Sequence, residues 1–119
     1  MINILVVDDE PDLRFLLRRI FEGAGHQVTE AGHGAAALDE VATAPPDLVV
    51  TDMMMPVMDG AELIRRLRAD PATAQIPILA ATGDPRLAGG ADTVLTKPFR
   101  SAELLAAAST LLEQKVART

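Results

Sequence analysis

Apolar and polar positions along the chain follow a strand-then-helix order that is repeated five times. Segments rich in β-branched and apolar residues predict strands at 2–7, 27–31, 47–52, 76–82 and 92–96. Apolar residues at helical spacing predict helices that begin near Pro11, Gly34, Asp59 and Ser101. Asp59 and Ser101 are expected to cap their helices, and the residues after Glu113 are expected to fray. This alternation predicts an α/β fold in which both faces of a parallel sheet are covered.

The segment between the fourth and fifth strands departs from the alternation. Residues 83–90 include Gly83, Pro85, Gly89 and Gly90, which interrupt the segment too often for a stable helix to form. We therefore expect a loop with at most one helical turn where the pattern would place its fourth helix.

Composition narrows the class of protein. The 119 residues predict a single domain, 1–119, whose core is aliphatic because only 3% of the residues are aromatic. A net charge of −6 argues against direct binding to nucleic acid, and the lack of cysteine excludes disulfides and thiolate metal sites. No apolar run approaches the ~18 residues of a membrane span, and the first residues do not resemble a signal peptide. We expect a soluble, cytoplasmic protein with no membrane contact.

Polar residues follow or end four of the predicted strands. Asp8 and Asp9 follow the first strand, Asp52 ends the third, Thr82 ends the fourth and Lys97 follows the fifth. The carboxyl ends of parallel strands lie along one edge of a sheet, where open α/β folds bind their ligands. We therefore expect these five residues to form one site.

The residue types at this edge favour phosphoryl chemistry around a divalent ion. Three carboxylates at close range repel one another unless a cation joins them, and hard oxygen ligands suit Mg²⁺, or Mn²⁺, better than zinc. Lys97 supplies a positive charge, and Thr82 supplies a hydroxyl donor, for the oxygens of a phosphoryl group. Because an aspartate is a competent nucleophile in such a place, Asp52 is the candidate acceptor.

The order of these residues resembles that of a known family. The matching elements are Asp8-Asp9, Asp52-x-x-Met55-Pro56-x-x-Asp59-Gly60, Thr82 and Lys97-Pro98. Together they resemble the receiver (CheY-like) domains of bacterial two-component response regulators, and the resemblance runs from Ile2 to about Leu112. It implies a doubly wound, five-stranded parallel sheet of order 2-1-3-4-5, here with a shortened or absent fourth helix.

The resemblance also implies a function and partners. A sensor histidine kinase or a histidine phosphotransfer protein would donate a phosphoryl group to Asp52 in a Mg²⁺-dependent reaction. The resulting conformational change would signal to a downstream protein target. The domain would catalyse its own phosphorylation and slow dephosphorylation, but it would not be an enzyme toward an outside substrate.

The same resemblance implies roles for the site residues. The implied metal ligands are Asp9, Asp52, the backbone carbonyl of Met54 and, through a water molecule, Asp8. Thr82 and Lys97 are expected to contact the phosphoryl oxygens, and the peptide bond between Lys97 and Pro98 is expected to be cis.

Three features depart from the usual pattern of the family. The segment from Thr82 to Lys97 is shorter than usual, Val94 replaces the usual Tyr or Phe, and Gly83 replaces a common Ala. An aromatic rotamer switch is therefore impossible at Val94. We expect the phosphorylation chemistry to survive these changes, and we expect activation to order or move residues 83–91 instead.

Two other functions stay open at this point. A small Mg²⁺-dependent aspartyl phosphatase would use the same nucleophile, but such enzymes typically carry a second Asp where this chain has Met54. A phosphorylation-independent binding module would retain only the fold, and it would not need Asp8, Asp9 or Asp52.

Several further residues are assigned to the surface or to packing. Arg14, Arg18 and Arg19 are expected to form a solvated face of the first helix, with partner docking as the alternative. His26 and His33 are expected to be plain surface residues, and Met55 is expected to point inward. Asp84 is either an ordinary polar residue of the loop or a neighbour of the phosphoryl group that alters the rate at which this group is hydrolysed.

Overall fold

A computed structural model describes the backbone of residues 2–118 and the side chains of residues 2–115. The strands are β1 (Asn3–Val7), β2 (Gln27–Ala31), β3 (Leu48–Thr51), β4 (Ile78–Thr82) and β5 (Thr93–Thr96). The helices are α1 (Pro11–Gly23), α2 (Gly34–Thr43), α3 (Gly60–Ala69) and α4 (Ser101–Arg118). Among these helices, none is both long enough and apolar enough to cross a bilayer.

The strands form one sheet in the order β2-β1-β3-β4-β5, and all of the pairings are parallel. This confirms the predicted order and the doubly wound class of fold. Because the strands run in the same direction, their carboxyl ends all open onto one edge of the sheet.

The core lies on both faces of the sheet, as the contiguous apolar strands require. In β1, Leu5 and Val7 pack under α2 and α3, whereas Ile4 and Val6 pack under α1 and α4. Phe21 of α1 is fully buried in the second layer. Burial of one such large apolar side chain contributes about 1.5–3 kcal/mol, so the two layers hold the strand ends firmly in place.

The connection from β4 to β5 contains a single 3₁₀ turn, Pro85–Leu87, where the alternation would place a fourth helix. The predicted limit of one helical turn is therefore confirmed. Ala88 is buried after the turn, and the guanidinium of Arg68 in α3 donates hydrogen bonds to the carbonyl of Gly90 and to Asp92. These contacts fix the short connection against α3.

The structure tests the two predicted helix caps, Asp59 and Ser101. Asp59 caps α3, because its carboxylate accepts the N–H of Glu62 at 2.9 Å. Ser101 was wrong as a cap: it is the first residue of α4, and the side chain of Glu103 accepts the N–H of Arg100 instead. Fraying after Glu113 stays a prediction, and the backbone of α4 is helical to Arg118.

Candidate functional site

Asp52 directly follows β3 at the carboxyl edge of the sheet. Every residue of β3 is buried, so the strand is anchored in the core and delivers Asp52 to the edge with only 9% of its surface exposed. The N–H of Asp52 donates to the carbonyl of Val7 at 2.9 Å, which joins it to the end of β1. Its Oδ1 accepts the N–H of Met53 at 2.7 Å, so one carboxylate oxygen has a protein partner.

Asp8 and Asp9 lie in the loop that follows β1. The Asp8 side chain is buried, whereas Asp9 is exposed. The N–H of Asp8 donates to Ala31 at the end of β2, and its Oδ1 accepts the N–H of Glu10 at 2.9 Å. Burial raises the pKa of the Asp8 carboxyl, although the Glu10 hydrogen bond and the nearby positive charge of Lys97 oppose this rise.

The structure brings the three carboxylates together. One oxygen from each of Asp8, Asp9 and Asp52 lies within 4.8 Å of the others. Nζ of Lys97 lies 3.3 Å from Oδ2 of Asp8 and 3.6 Å from Oδ2 of Asp52. Three carboxylates beside one ammonium leave an excess of negative charge, and the hard oxygen donors suit a divalent ion such as Mg²⁺.

Lys97 and Thr82 are joined by the backbone at the same edge. The N–H of Lys97 donates to the carbonyl of Thr82 at 2.8 Å, and the Lys97–Pro98 peptide bond is cis, as predicted. The Thr82 side chain is fully buried, and its hydroxyl accepts the N–H of Asp84 at 3.2 Å. In this structure the hydroxyl is thus engaged with the β4–β5 connection.

Asp84 itself belongs to the connection rather than to the carboxylate cluster. Its carboxylate accepts the N–H of Arg86 and pairs with the Arg86 guanidinium at 2.8 Å. The hydrogen bonds from Arg86 lower the pKa of Asp84. Of the two roles considered for Asp84, that of an ordinary polar loop residue is the one for which the structure shows contacts, because its carboxylate caps the 3₁₀ turn.

The segment between β3 and α3 closes one side of the site. Met53 and Met55 are both buried, which confirms the inward position of Met55, whereas Met54 is 68% exposed. Val57 has a φ of 70°, and the N–H of Met58 reaches back to the carbonyl of Pro56 at 2.8 Å. A left-handed β-branched residue is strained, so this turn is held by its surroundings.

Gly60 explains how that segment can approach Asp52. A Cβ atom at this position would lie 2.7 Å from the Cα of Met53 and closer still to the backbone carbonyl oxygen of Asp52. The sequence motif included Gly60, but sequence reasoning did not assign it this packing role. A glycine that begins a helix after a site loop is the signal that could have shown it.

Two surface assignments were wrong. His33 is the N-cap of α2, since its Nδ1 accepts the N–H of Ala36 at 3.2 Å. Arg14 does not simply face solvent: it donates to the backbone carbonyl of Asp8 at 2.7 Å and to Glu30 at 3.0 Å. Sequence reasoning missed this contact because nothing in the spacing linked Arg14 to the acidic loop.

Comparison with known proteins agrees with this geometry. Residues 4–109 match the model of the response regulator receiver domain family. The chain is 38% identical to the sensor histidine kinase TmoS of Ectopseudomonas mendocina over 97% of its length, and 43% identical to the response regulator MprA of Mycobacterium sp. (strain KMS) over 95%. It spans 12% of the length of TmoS and 51% of that of MprA.

A solved structure has a similar fold. The response regulator TrrA of Thermotoga maritima, in complex with Mg²⁺ and BeF, aligns with a TM-score of 0.86 and 30% identity, covering 93% of this chain and 99% of the TrrA chain. The family match, the sheet order and the acidic edge agree, and the chain belongs to the response regulator receiver domain family of two-component systems.

Proposed function

We propose that residues 1–119 form one receiver domain that accepts a phosphoryl group on Asp52. The observation that carries this proposal is the convergence of the carboxylates of Asp8, Asp9 and Asp52 with the ammonium of Lys97. A nucleophilic carboxylate with one free oxygen beside a lysine suits transfer of a dianionic group, because positive charge stabilises the transferring oxygens.

The residues present fit a magnesium ion. Asp9, Asp52 and the backbone carbonyl of Met54 would hold it, and Asp8 would act through a bound water; Mn²⁺ fits the same hard ligands. When bound, the ion neutralises charge on the carboxylates and on the incoming phosphoryl oxygens. The TrrA structure, which contains Mg²⁺ and BeF, supports this assignment by similarity.

The chain's own residues carry the rest of the proposed reaction. An oxygen of Asp52 attacks the phosphorus of the donor, a P–O bond forms, and the P–N bond to the donor histidine breaks with the imidazole leaving. Met53 holds Oδ1 through its N–H, so Oδ2, which faces Lys97, is the better placed oxygen. Lys97 and the Thr82 hydroxyl then bind phosphoryl oxygens.

Binding of a phosphoryl oxygen by Thr82 would also affect the β4–β5 connection. Its hydroxyl accepts the N–H of Asp84, so turning toward a phosphoryl group would remove an acceptor from the start of the 3₁₀ turn. We infer that activation reorganises residues 83–91, since Val94 cannot act as an aromatic switch. This change would signal to a downstream protein.

The partners are proposed from similarity and from the surface beside the site. A sensor histidine kinase or a histidine phosphotransfer protein is the proposed donor, and the likeness to TmoS and MprA supports this class of pathway. Phe15 and Leu16 of α1 are more than half exposed, and Leu16 borders an apolar groove that reaches Lys97 and Phe99. A donor helix packed there would lie next to Asp52.

Two other functions use the same fold. A magnesium-dependent aspartyl phosphatase would need a general acid, but Met54 stands where such enzymes typically carry an Asp. A phosphorylation-independent binding module would leave the buried Asp8 and its raised pKa without a role, because burial of a carboxylate is costly unless it serves a site.

One experiment separates the three functions. The protein is incubated with a small phosphodonor and Mg²⁺, and intact mass is followed for the wild type, Asp52→Ala and Asp12→Asn, an exposed carboxylate on α1 as control. A gain of one phosphoryl group in the wild type and in Asp12→Asn, and its loss in Asp52→Ala, is expected. Multiple turnover of the donor would favour the phosphatase, and no mass gain would favour the binding module.

A further inference from the structure

Arg14 connects the acidic loop to the neighbouring strand β2. Its side chain is 21% exposed, and Nη1 donates to the backbone carbonyl of Asp8 at 2.7 Å while Nε donates to Glu30 at 3.0 Å. The planar guanidinium can make both contacts at once because its donors diverge in a fixed fork. One residue of α1 therefore holds the loop from outside the carboxylate cluster.

The carbonyl that Arg14 binds belongs to the peptide group between Asp8 and Asp9. The orientation of this peptide plane sets the last backbone torsion of Asp8 and the first of Asp9, so it sets the direction of the Asp9 carboxylate relative to that of Asp8. The preceding N–H of Asp8 is already fixed to Ala31. That N–H lies in the peptide plane before the one that Arg14 binds, so the hydrogen bond from Arg14 restrains the rotation of the Asp8–Asp9 plane.

Glu30 holds the guanidinium of Arg14 in place from the side of β2. Oε1 of Glu30 accepts Nε of Arg14, and Oε2 accepts Nη1 of Arg18 at 2.7 Å. Glu30 is thus shared by two arginines of the same helix face. Arg18 contacts Glu30 and Glu22 but is not the residue that contacts Asp8.

We propose that Arg14, oriented by Glu30, is a positioning residue for the metal site. It fixes the Asp8–Asp9 peptide so that both carboxylates face the ion, and it does not itself touch the ion or the phosphoryl group. The inference rests on the proposed function for its consequence, but the hydrogen bond and its effect on the loop exist without the metal.

Electrostatics and positioning predict opposite results when Arg14 is replaced. Loss of a positive charge near three carboxylates should tighten the binding of a cation, in the same way for Arg14→Gln and Arg18→Gln. Loss of the hydrogen bond to the Asp8 carbonyl should instead weaken cation binding in Arg14→Gln but not in Arg18→Gln. Arg14→Lys keeps the charge but cannot span both acceptors, so it should resemble Arg14→Gln.

The test measures Mg²⁺ affinity by titration calorimetry for the wild type and the three variants, after urea unfolding has shown that each is folded. We expect Arg14→Gln and Arg14→Lys to bind Mg²⁺ about tenfold more weakly, as for other residues that orient metal ligands, and Arg18→Gln to bind no more weakly than the wild type. Affinity for Arg14→Gln equal to or tighter than that for Arg18→Gln would overturn the proposal.

A metal-free measurement distinguishes failure of this inference from failure of the proposed function. Hydrogen exchange of the Glu10 amide, which donates to the Asp8 carboxylate, should be faster in Arg14→Gln than in Arg18→Gln. If the wild type binds no Mg²⁺, the proposed function fails, and the exchange result alone decides whether Arg14 positions the loop. Equal exchange in the two variants would refute that role.

Discussion

Nζ of Lys97 lies 3.6 Å from Oδ2 of Asp52, the oxygen that is not taken by the N–H of Met53. The same ammonium lies 3.3 Å from Asp8, so it faces two carboxylates. This arrangement places the positive side chain that pairs with the carboxylates of the cluster beside the proposed nucleophile. It also means that Lys97 and a divalent ion compete for the same negative charge.

Replacement of Lys97 by Met should separate metal binding from phosphoryl transfer. Removing the ammonium leaves more negative charge for a cation, so Mg²⁺ affinity should rise, whereas phosphorylation by a small donor should slow by about 10²-fold or more because a stabilising charge is lost. Calorimetry and time-resolved intact mass measure the two effects.

Lys115→Met is the matched control for this variant. Lys115 also pairs with an aspartate, Asp47, but at the opposite edge of the sheet, at 3.1 Å. Lys115→Met should change neither the Mg²⁺ affinity nor the rate of phosphorylation. A weaker Mg²⁺ affinity in Lys97→Met would show that Lys97 organises the carboxylates rather than competing with the ion.

Gly60→Ala should destabilise the protein because there is no room for the added methyl group. The new Cβ would lie 2.7 Å from the Cα of Met53, in backbone that cannot move without shifting Asp52. We expect a loss of about 1–3 kcal/mol in the free energy of unfolding, measured by urea denaturation. Gly83→Ala is the control, since a Cβ there meets nothing within 4 Å. Similar losses in both variants would contradict the packing role of Gly60.

The sheet and the site at its carboxyl edge could be predicted from the sequence, because both follow from patterns of neighbouring residues. β3 is a contiguous buried run that ends at Asp52, and this pattern alone places a carboxylate at the edge of a parallel sheet. The break at residues 83–90 was equally visible, since Gly and Pro oppose a helix whatever surrounds them.

Contacts between elements could not be predicted in the same way. The hydrogen bond from Arg14 to the Asp8 carbonyl depends on where α1 lies relative to the β1 loop, and a backbone acceptor leaves no mark in the sequence. Ser101 looked like a helix cap, but Glu103 binds the N–H of Arg100 and moves the helix start by one residue. These hydrogen-bond partners depend on how the elements pack against one another, which the sequence pattern does not show.

Arg68→Gln should loosen the β4–β5 connection. Arg68 donates to the carbonyls of Ala74, Ile76 and Gly90 and pairs with Asp92 at 2.7 Å, so one side chain joins two loops to α3. We expect a loss of about 1–3 kcal/mol in the free energy of unfolding and faster hydrogen exchange in residues 84–92.

Arg66→Gln controls for the loss of a charge from the same helix. Arg66 pairs with Glu62 on the surface, and an exposed ion pair contributes little to stability because solvent screens it. If Arg66→Gln costs as much stability as Arg68→Gln, or if exchange in residues 84–92 is unchanged in Arg68→Gln, the connection is held by the packing of Ala88 rather than by Arg68.

Glu30→Gln should change the acid side of the stability profile. The hydrogen bond from Arg18, followed by that from Arg14, lowers the pKa of Glu30 below its ordinary 4.5. A carboxyl group with a lowered pKa stabilises the folded state fully above the unfolded value, and this stabilisation is lost as the pH falls through the folded value. The difference in unfolding free energy between the wild type and Glu30→Gln should therefore be largest near neutral pH and shrink below 4.5.

Urea denaturation between about pH 7 and about pH 3 measures this difference. Glu113→Gln, on the exposed side of α4, controls for the loss of one carboxylate. High salt should reduce the effect, because the arginines are partly exposed and their attraction to Glu30 is screened. A stability difference that stays constant across this pH range would mean that the two arginines hold Glu30 by hydrogen-bond geometry alone, with no contribution from its charge.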